Sequence, residues 1–345
     1  MTDVMELATR ERGWAVLTDA LRALLDGADP KDRAVGLRRL KPKVYRLEFD
    51  AGAPLRSVIV KRLEPGVAQR VRLAAERWLP ALGLADACPR LLGVAAERTE
   101  AVVWHVYEDL GDDTLAAHPD PDRVEATLAL VAELHTRGAS HPVLPDVRRE
   151  GGGSLGIEYF TANVRDGIAA LDALVSGGPA APREHRGLPE RLLERLTALL
   201  ADTPRRARVF EAAAGPDTLL HGDLWTINAF VTQTAPGPRA RLIDWDKVGV
   251  GPFSYDLSTF LFRFEGVERP SLVEVYRRAV ARRGWRLAPL ADLQILFDTA
   301  ERARYANRVI WPALALVQER ADWGFPELAE VERWFQALDG TGMPA

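Results

Sequence analysis

Apolar positions along the chain change period, and the changes mark its elements. Over residues 5–26 they follow helical spacing, with Leu17, Leu21, Leu24 and Leu25 on one stripe. The segments "AVGLRRLKPKVYRLEFDAG" and "LRSVIVKRLEPG" then shift to period two, which predicts strands; "VYRLEF" alternates, and "SVIVKRL" is a short apolar run closing on basic residues. Helical spacing returns in "VAQRVRLAAERWLPALG", with Gly83 as its stop. Two more strands follow in "PRLLGVAAERTEAVVWHVYEDLG". The first 110 residues therefore read as a sheet with one internal helix.

Beyond "EDLGDDTL" the pattern turns helical. "PDRVEATLALVAELHTRG" places Val124, Leu128, Val131 and Leu134 on one side, with Asp120 as a cap. A glycine-rich connection, "REGGGSLGIEYF", leads to helices near 160–175 and 188–202. Short strands and loops occupy 219–250, and from about 255 the chain is helical again. The organisation expected is an N-terminal helix in 1–30, a sheet-rich lobe in 31–110 and a helical lobe in 111–345. The fold class is α+β.

Composition narrows the partners. Apolar residues are 47% and charged residues 27% of 345, as in a soluble globular protein. A net charge of -4 gives no reason to expect nucleic acid, and no apolar run reaches membrane-spanning length. Cys88 is the single cysteine, so an intrachain disulfide and a thiolate metal cluster are excluded. The N-terminus lacks a signal-peptide core, and a cytoplasmic location is the expectation.

The chemistry concentrates in "LLHGDLWTINAF" (219–230) and "RLIDWDKVG" (241–249). His221, Asp223 and Asn228 interrupt apolar residues, and buried polar groups are costly unless each has a partner. Phosphoryl transfer asks for a carboxylate to orient the attacking hydroxyl and for Mg²⁺ to neutralise phosphate charge. Mg²⁺ takes oxygen ligands, so an amide oxygen and a carboxylate suit it. One loop carrying Asp223 and, five residues on, Asn228 can supply both roles. The turn "TAPGPRA" predicts a hairpin that returns Asp244 beside Asn228.

Together, "HGDLWTIN", "LIDWD" and "GPFSYDLSTFL" resemble the aminoglycoside phosphotransferase family and its choline-kinase-like relatives, in consistent order over roughly 35–265. The resemblance implies a two-lobed protein-kinase-like fold, with ATP or GTP and Mg²⁺ as cofactors and a small-molecule hydroxyl compound as acceptor. It implies Asp223 as catalytic base, Asn228 and Asp244 as Mg²⁺ ligands, His221 orienting the loop, and Asp256 bracing it. In the sheet-rich lobe it implies Lys61 at the α- and β-phosphates, Glu76 as its ion-pair partner, and the backbone of Glu108 and Leu110 at the adenine edge. The sequence departs from the family at "RRLKPKVYRL", where the phosphate-covering turn holds Pro42 and no glycine; either Lys41 and Lys43 meet phosphate by charge, or the turn is a solvated surface.

Plainer readings stand beside these. Lys61 competes with Lys41 and Lys43, and Glu76 with an ordinary solvated helix residue. Asp246 is open between a second Mg²⁺, the substrate and a salt bridge to Lys247. His135 reads as a core histidine, and Trp225 as a packing residue. The alternative function is a nucleotide-binding module without transfer activity, which only the altered turn favours. Metal-dependent hydrolysis through His221, Asp223, Asp244 and Asp246 is weaker, because the other histidines lie in dissimilar contexts. The tail mixes both charge signs, as in "DTAERARY" and "EVERWF", so no acidic funnel for a polycation is read from it.

Overall fold

A computed structural model describes residues 12–97 and 101–340. In chain order, and leaving short turns aside, these residues form α1 (Trp14–Leu24), β1 (Ala34–Lys41), β2 (Val44–Phe49), β3 (Ser57–Leu63) and α2 (Pro65–Leu73). Then come β4 (Leu91–Glu97), β5 (Val102–Glu108), α3 (Pro121–Gly138), α4 (Ile157–Gly177), α5 (Leu188–Ala213) and β6 (Thr218–Leu220). The remainder is β7 (Ala229–Thr234), β8 (Gly237–Leu242), β9 (Gly249–Gly251), α6 (Ser254–Leu261), α7 (Arg269–Ala281), α8 (Leu290–Glu319) and α9 (Gly324–Gly340). The sequence expectation of a helix over 5–26 is met for Trp14–Leu24; positions 5–11 lie outside the described residues.

The chain divides into two compact units, one running to Leu130 and including Thr226–Val248, the other comprising Val131–Trp225 and the residues from Gly249. The first unit is built on an antiparallel five-stranded sheet, ordered β1-β2-β3-β5-β4. Strand side chains alternate between faces, so each face has its own chemistry. Tyr45, Leu47, Val58, Val60, Trp104 and Val106 form the inner face, which α1 covers with Trp14, Leu17 and Leu21. Burying each of these large apolar groups is worth about 1.5–3 kcal/mol. Paired positions share a face, and the register sets Val44 against Lys61, Lys61 against His105 and Ile59 against Tyr107 on the other one.

The β7–β8 hairpin belongs to this unit although more than a hundred residues separate it from β5. Its attachment is direct. Leu115 donates its N–H to Ala229 at 2.8 Å, and Thr114 and Phe230 form a β-bridge.

The second unit is mainly helical. Phe160, Val164, Leu192, Leu196, Val309 and Phe335 make its core, drawn from α4, α5, α8 and α9. Helix α5 runs on to Ala213 through Pro204, beyond the end near 202 that the sequence predicts, because proline reads locally as a breaker while packing holds the helix together. The short β6 and β9 pair antiparallel and frame the loop that carries Asp223.

Candidate active site

Within the first unit the outer sheet face opens on a cavity of about 410 Å³. Val44, Ile59, Tyr107, Leu110 and Ile243 give it apolar walls, and Lys61, Asp244 and Asp246 line it as well. A flat apolar slot with a few charged groups suits a heterocycle that carries phosphates.

Lys61 extends from β3 to two carboxylates. Its Nζ lies 2.5 Å from Asp244 Oδ1 and 2.8 and 2.9 Å from the oxygens of Asp246. Burial works against the lysine's charge, but Asp244 and Asp246 outweigh it and hold its pKa above the ordinary value. Burial raises the Asp246 carboxyl, and Asp244 adds to this against the pull of Lys61. Arg70 Nη1 anchors the same turn through the Asp246 carbonyl at 3.0 Å. Asp244 adopts φ 68° and ψ 52°, a left-handed conformation uncommon outside glycine, asparagine and aspartate. Such strain persists where surrounding structure enforces it, and it aims this carboxylate.

The hairpin places Asn228 near Asp244: Ala229 pairs with Leu242, and Ile243 donates its N–H to the Asn228 carbonyl at 2.9 Å. The side chains of Asn228, Asp244 and Asp246 offer hard oxygen donors, the kind Mg²⁺ takes. Among the described residues no group of three or more His, Cys, Asp or Glu could hold a metal ion. The donor set thus fits a Mg²⁺ that completes its shell with phosphate oxygens and water, and does not fit a metal caged by protein alone.

In the second unit, the loop after β6 is organised from beneath by Asp256. This carboxylate, fully buried in α6, accepts the His221 N–H at 2.6 Å and the Gly222 N–H at 2.8 Å, and contacts His135 Nε2 at 3.3 Å. His135 Nδ1 in turn meets the Tyr276 hydroxyl at 2.8 Å. Burial pushes the Asp256 carboxyl up, yet His135, His221 and the Gly222 amide hold it below its ordinary value. The loop thereby presents Asp223, half-buried, whose Oδ1 accepts the indole N–H of Trp225 at 2.8 Å and whose own N–H donates to His221 Nδ1 at 3.3 Å.

Of the other positions singled out from sequence, Lys41, Glu108, Leu110 and Asp246 also line the cavity. Glu76 sits in a π-helical turn (Ala74–Trp78) and pairs with Arg72 at 2.7 Å, half exposed, while Lys61 is engaged by the two aspartates. Glu108 donates its N–H to the Arg90 carbonyl, and its carboxylate is shared by Arg90 and Arg241. Leu110 lines the cavity, as does Lys41; Lys43 takes φ 67° after Pro42 in the two-residue turn between β1 and β2. Asp246 pairs with Lys61, a partner that nothing in its local sequence indicates. Sequence reasoning also passed over Arg46, buried in β2. It binds Asp112 at 2.8 Å, Asp109 at 2.9 Å and the Gly111 carbonyl at 2.7 Å, which fastens the segment around Leu110. Only the alternation of β2, which points Arg46 to the same side as Val44, hinted at it.

A model of the phosphotransferase enzyme family matches residues 40–291, and the chain belongs to that family. No curated protein matches the sequence. Among solved structures, the ethanolamine kinase of Plasmodium vivax is similar with a TM-score of 0.61 at 10% identity, covering 95% of this chain and 88% of that one. The aminoglycoside phosphotransferase of Streptomyces rimosus, in complex with ADP and streptomycin, gives 0.50 at 17% identity over 86% of this chain and 98% of that one. The GDP and kanamycin complex of APH(2")-IIia gives 0.58 at 14% identity over 93% and 98%. The fold is the two-lobed protein-kinase-like one, with a small antiparallel-sheet lobe and a larger, mainly helical lobe. Among the described residues no helix is long and apolar enough to cross a membrane.

Proposed function

We propose that this protein transfers the γ-phosphoryl group of ATP or GTP to a hydroxyl of a small-molecule acceptor. One observation carries the reading: at the wall of an apolar cavity, a lysine ammonium lies against two carboxylates, 2.5 Å from Asp244 and 2.8 Å from Asp246. Amine and carboxylates gathered there match what a nucleotide triphosphate with its metal needs.

In this reading Leu110 and the apolar walls hold the base, and Lys61 meets the phosphates. Asn228 and Asp244 are the oxygen donors for Mg²⁺, which when bound neutralises phosphate charge. Asp223 takes the proton of the acceptor hydroxyl as its oxygen attacks the terminal phosphorus, and the nucleoside diphosphate leaves. Asn228 lies five positions after Asp223, at most about 18 Å of extended backbone, so base and metal ligand travel on one loop.

A second reading, nucleotide binding without transfer, draws on the turn at Pro42–Lys43, where a lysine occupies the positive-φ position that glycine or asparagine usually fills. One experiment separates the two. Nucleotide binding is read by a thermal shift with Mg²⁺-ATP and Mg²⁺-GTP, and transfer by nucleoside diphosphate release over a panel of hydroxyl compounds. Asp223→Asn is expected to keep the thermal shift and lose transfer by about 10³-fold or more. A shift without transfer for any acceptor supports the binding module. Absence of any nucleotide-dependent shift overturns both readings.

A further inference from the structure

Trp225 links the loop of Asp223 to an arginine. Its indole N–H is given to Asp223 Oδ1 at 2.8 Å, and the guanidinium carbon of Arg263 lies 3.9 Å from its ring centroid. Carboxylate, indole and guanidinium form one cluster inside the second unit, with the cation one ring away from the base.

Among the described residues Arg263 makes no ion pair, and its buried Nε has no hydrogen-bond partner. Arg269, the first residue of α7, is buried and stacked at 4.3 Å on Phe262; its Nε donates to the Phe264 carbonyl at 3.2 Å, and its Nη1 is unpartnered. Burial lowers the pKa of Arg269, and the like charge of Arg263 adds to this against the pull of Glu301. Glu301, however, is already bound by Arg304 at 2.7 Å. Glu301 thus serves Arg269 and Arg304, and among the described residues Arg263 has no carboxylate paired to it. Asp256, the other buried acid nearby, is spent on the His221 and Gly222 amides.

A half-buried guanidinium beside a catalytic base, with no carboxylate paired to it, is open to a counter-charge brought by a ligand. A polycation such as an aminoglycoside is repelled by it. An anion is attracted to it, and a guanidinium receives carboxylate or phosphate oxygens in its fork.

Resting on the assignment of Asp223 as the base, we infer that the acceptor carries an acid group, carboxylate or phosphate, close to the hydroxyl that is phosphorylated, and that Arg263 binds it. Arg263 is then a specificity-determining residue, and the substrate class is hydroxyl-bearing acids.

The test compares matched acceptors with Mg²⁺-ATP held saturating: 3-hydroxypropanoate against 3-hydroxypropanamide for the carboxylate, glycerol 3-phosphate against glycerol for the phosphate, and kanamycin as the polycation. The better of the two acids is expected to exceed its neutral counterpart in kcat/KM by about tenfold or more, and which acid it is identifies the source of the charge. Arg263→Gln should collapse that ratio toward one, whereas Arg263→Lys, which keeps the charge, should retain most of it. The acid's advantage in the unaltered protein should also shrink as salt is raised, a readout independent of how either variant folds. The inference is overturned if neither acid surpasses its neutral partner, if kanamycin is the best acceptor, or if the ratio is insensitive to both Arg263→Gln and salt. The thermal shift by nucleotide is measured alongside. If it persists, such an outcome removes the acid-acceptor inference alone; if it is absent, the phosphotransfer reading fails with it.

Discussion

Lys61 and Asp244 stand 183 residues apart in the chain, yet Nζ and Oδ1 are 2.5 Å apart, and Asp246 meets the same ammonium at 2.8 Å. Two carboxylates share one cation in a largely desolvated setting, where charge interactions are stronger than in water and unpaired charge is expensive. The arrangement is therefore both a structural brace between β3 and the segment after β8 and a cation-binding geometry in its own right.

Lys61→Met tests both aspects. The methionine keeps the apolar stem but leaves Asp244 and Asp246 facing each other with no cation, which should cost about 1–3 kcal/mol in urea unfolding. The stabilisation by Mg²⁺-ATP should shrink or vanish in a thermal scan. A variant with unaltered stability and a full nucleotide shift contradicts the assignment of Lys61.

Asp256→Asn removes the acceptor that fixes His221 and Gly222, and a loss of about 2–4 kcal/mol is expected at neutral pH. Because the folded carboxyl is held below its ordinary value of 3.8, its contribution is present above that value and fades as pH falls through the lower, folded one. The deficit of the variant should accordingly be largest near neutrality and narrow in strong acid. Turnover should drop more than nucleotide binding, since the loop of Asp223 is what the carboxylate supports.

His105 supplies a pH dependence of its own. Burial, followed by the charges of Lys61 and Arg72, brings its pKa down to about 4, from 6.5 in the unfolded chain. The unfolded state therefore binds the proton first, and stability should fall as pH is lowered from 6.5 toward 4, by up to about 3 kcal/mol. His105→Gln should flatten that stretch of the curve in denaturant titrations at stepped pH. An unchanged slope places the effect in another group.

Much of this was legible in the chain because it is local. Period-two alternation identified β2, and a short apolar run closing on basic residues identified β3 with Lys61 near its end. The turn between Thr234 and Gly237 forecast the hairpin that sets Asn228 beside Asp244. Glu76 was implied as the partner of Lys61 by the family resemblance and by no local pattern. The glutamate's neighbour is Arg72, one turn back on the same helix.

The sequence by itself determined the order and period of the elements, the loop that carries Asp223 and Asn228 together, and the single cysteine that rules out any intrachain disulfide. Those features depend on residues within a turn or a strand of each other, or on a count. Tertiary structure alone decided that Lys61 meets Asp246, that Arg46 fastens the segment around Leu110, and that Arg263 lies on Trp225 without a carboxylate of its own. Each of these is a balance of charge between segments far apart in the chain, and such a balance exists only once packing has removed the water that would otherwise screen it.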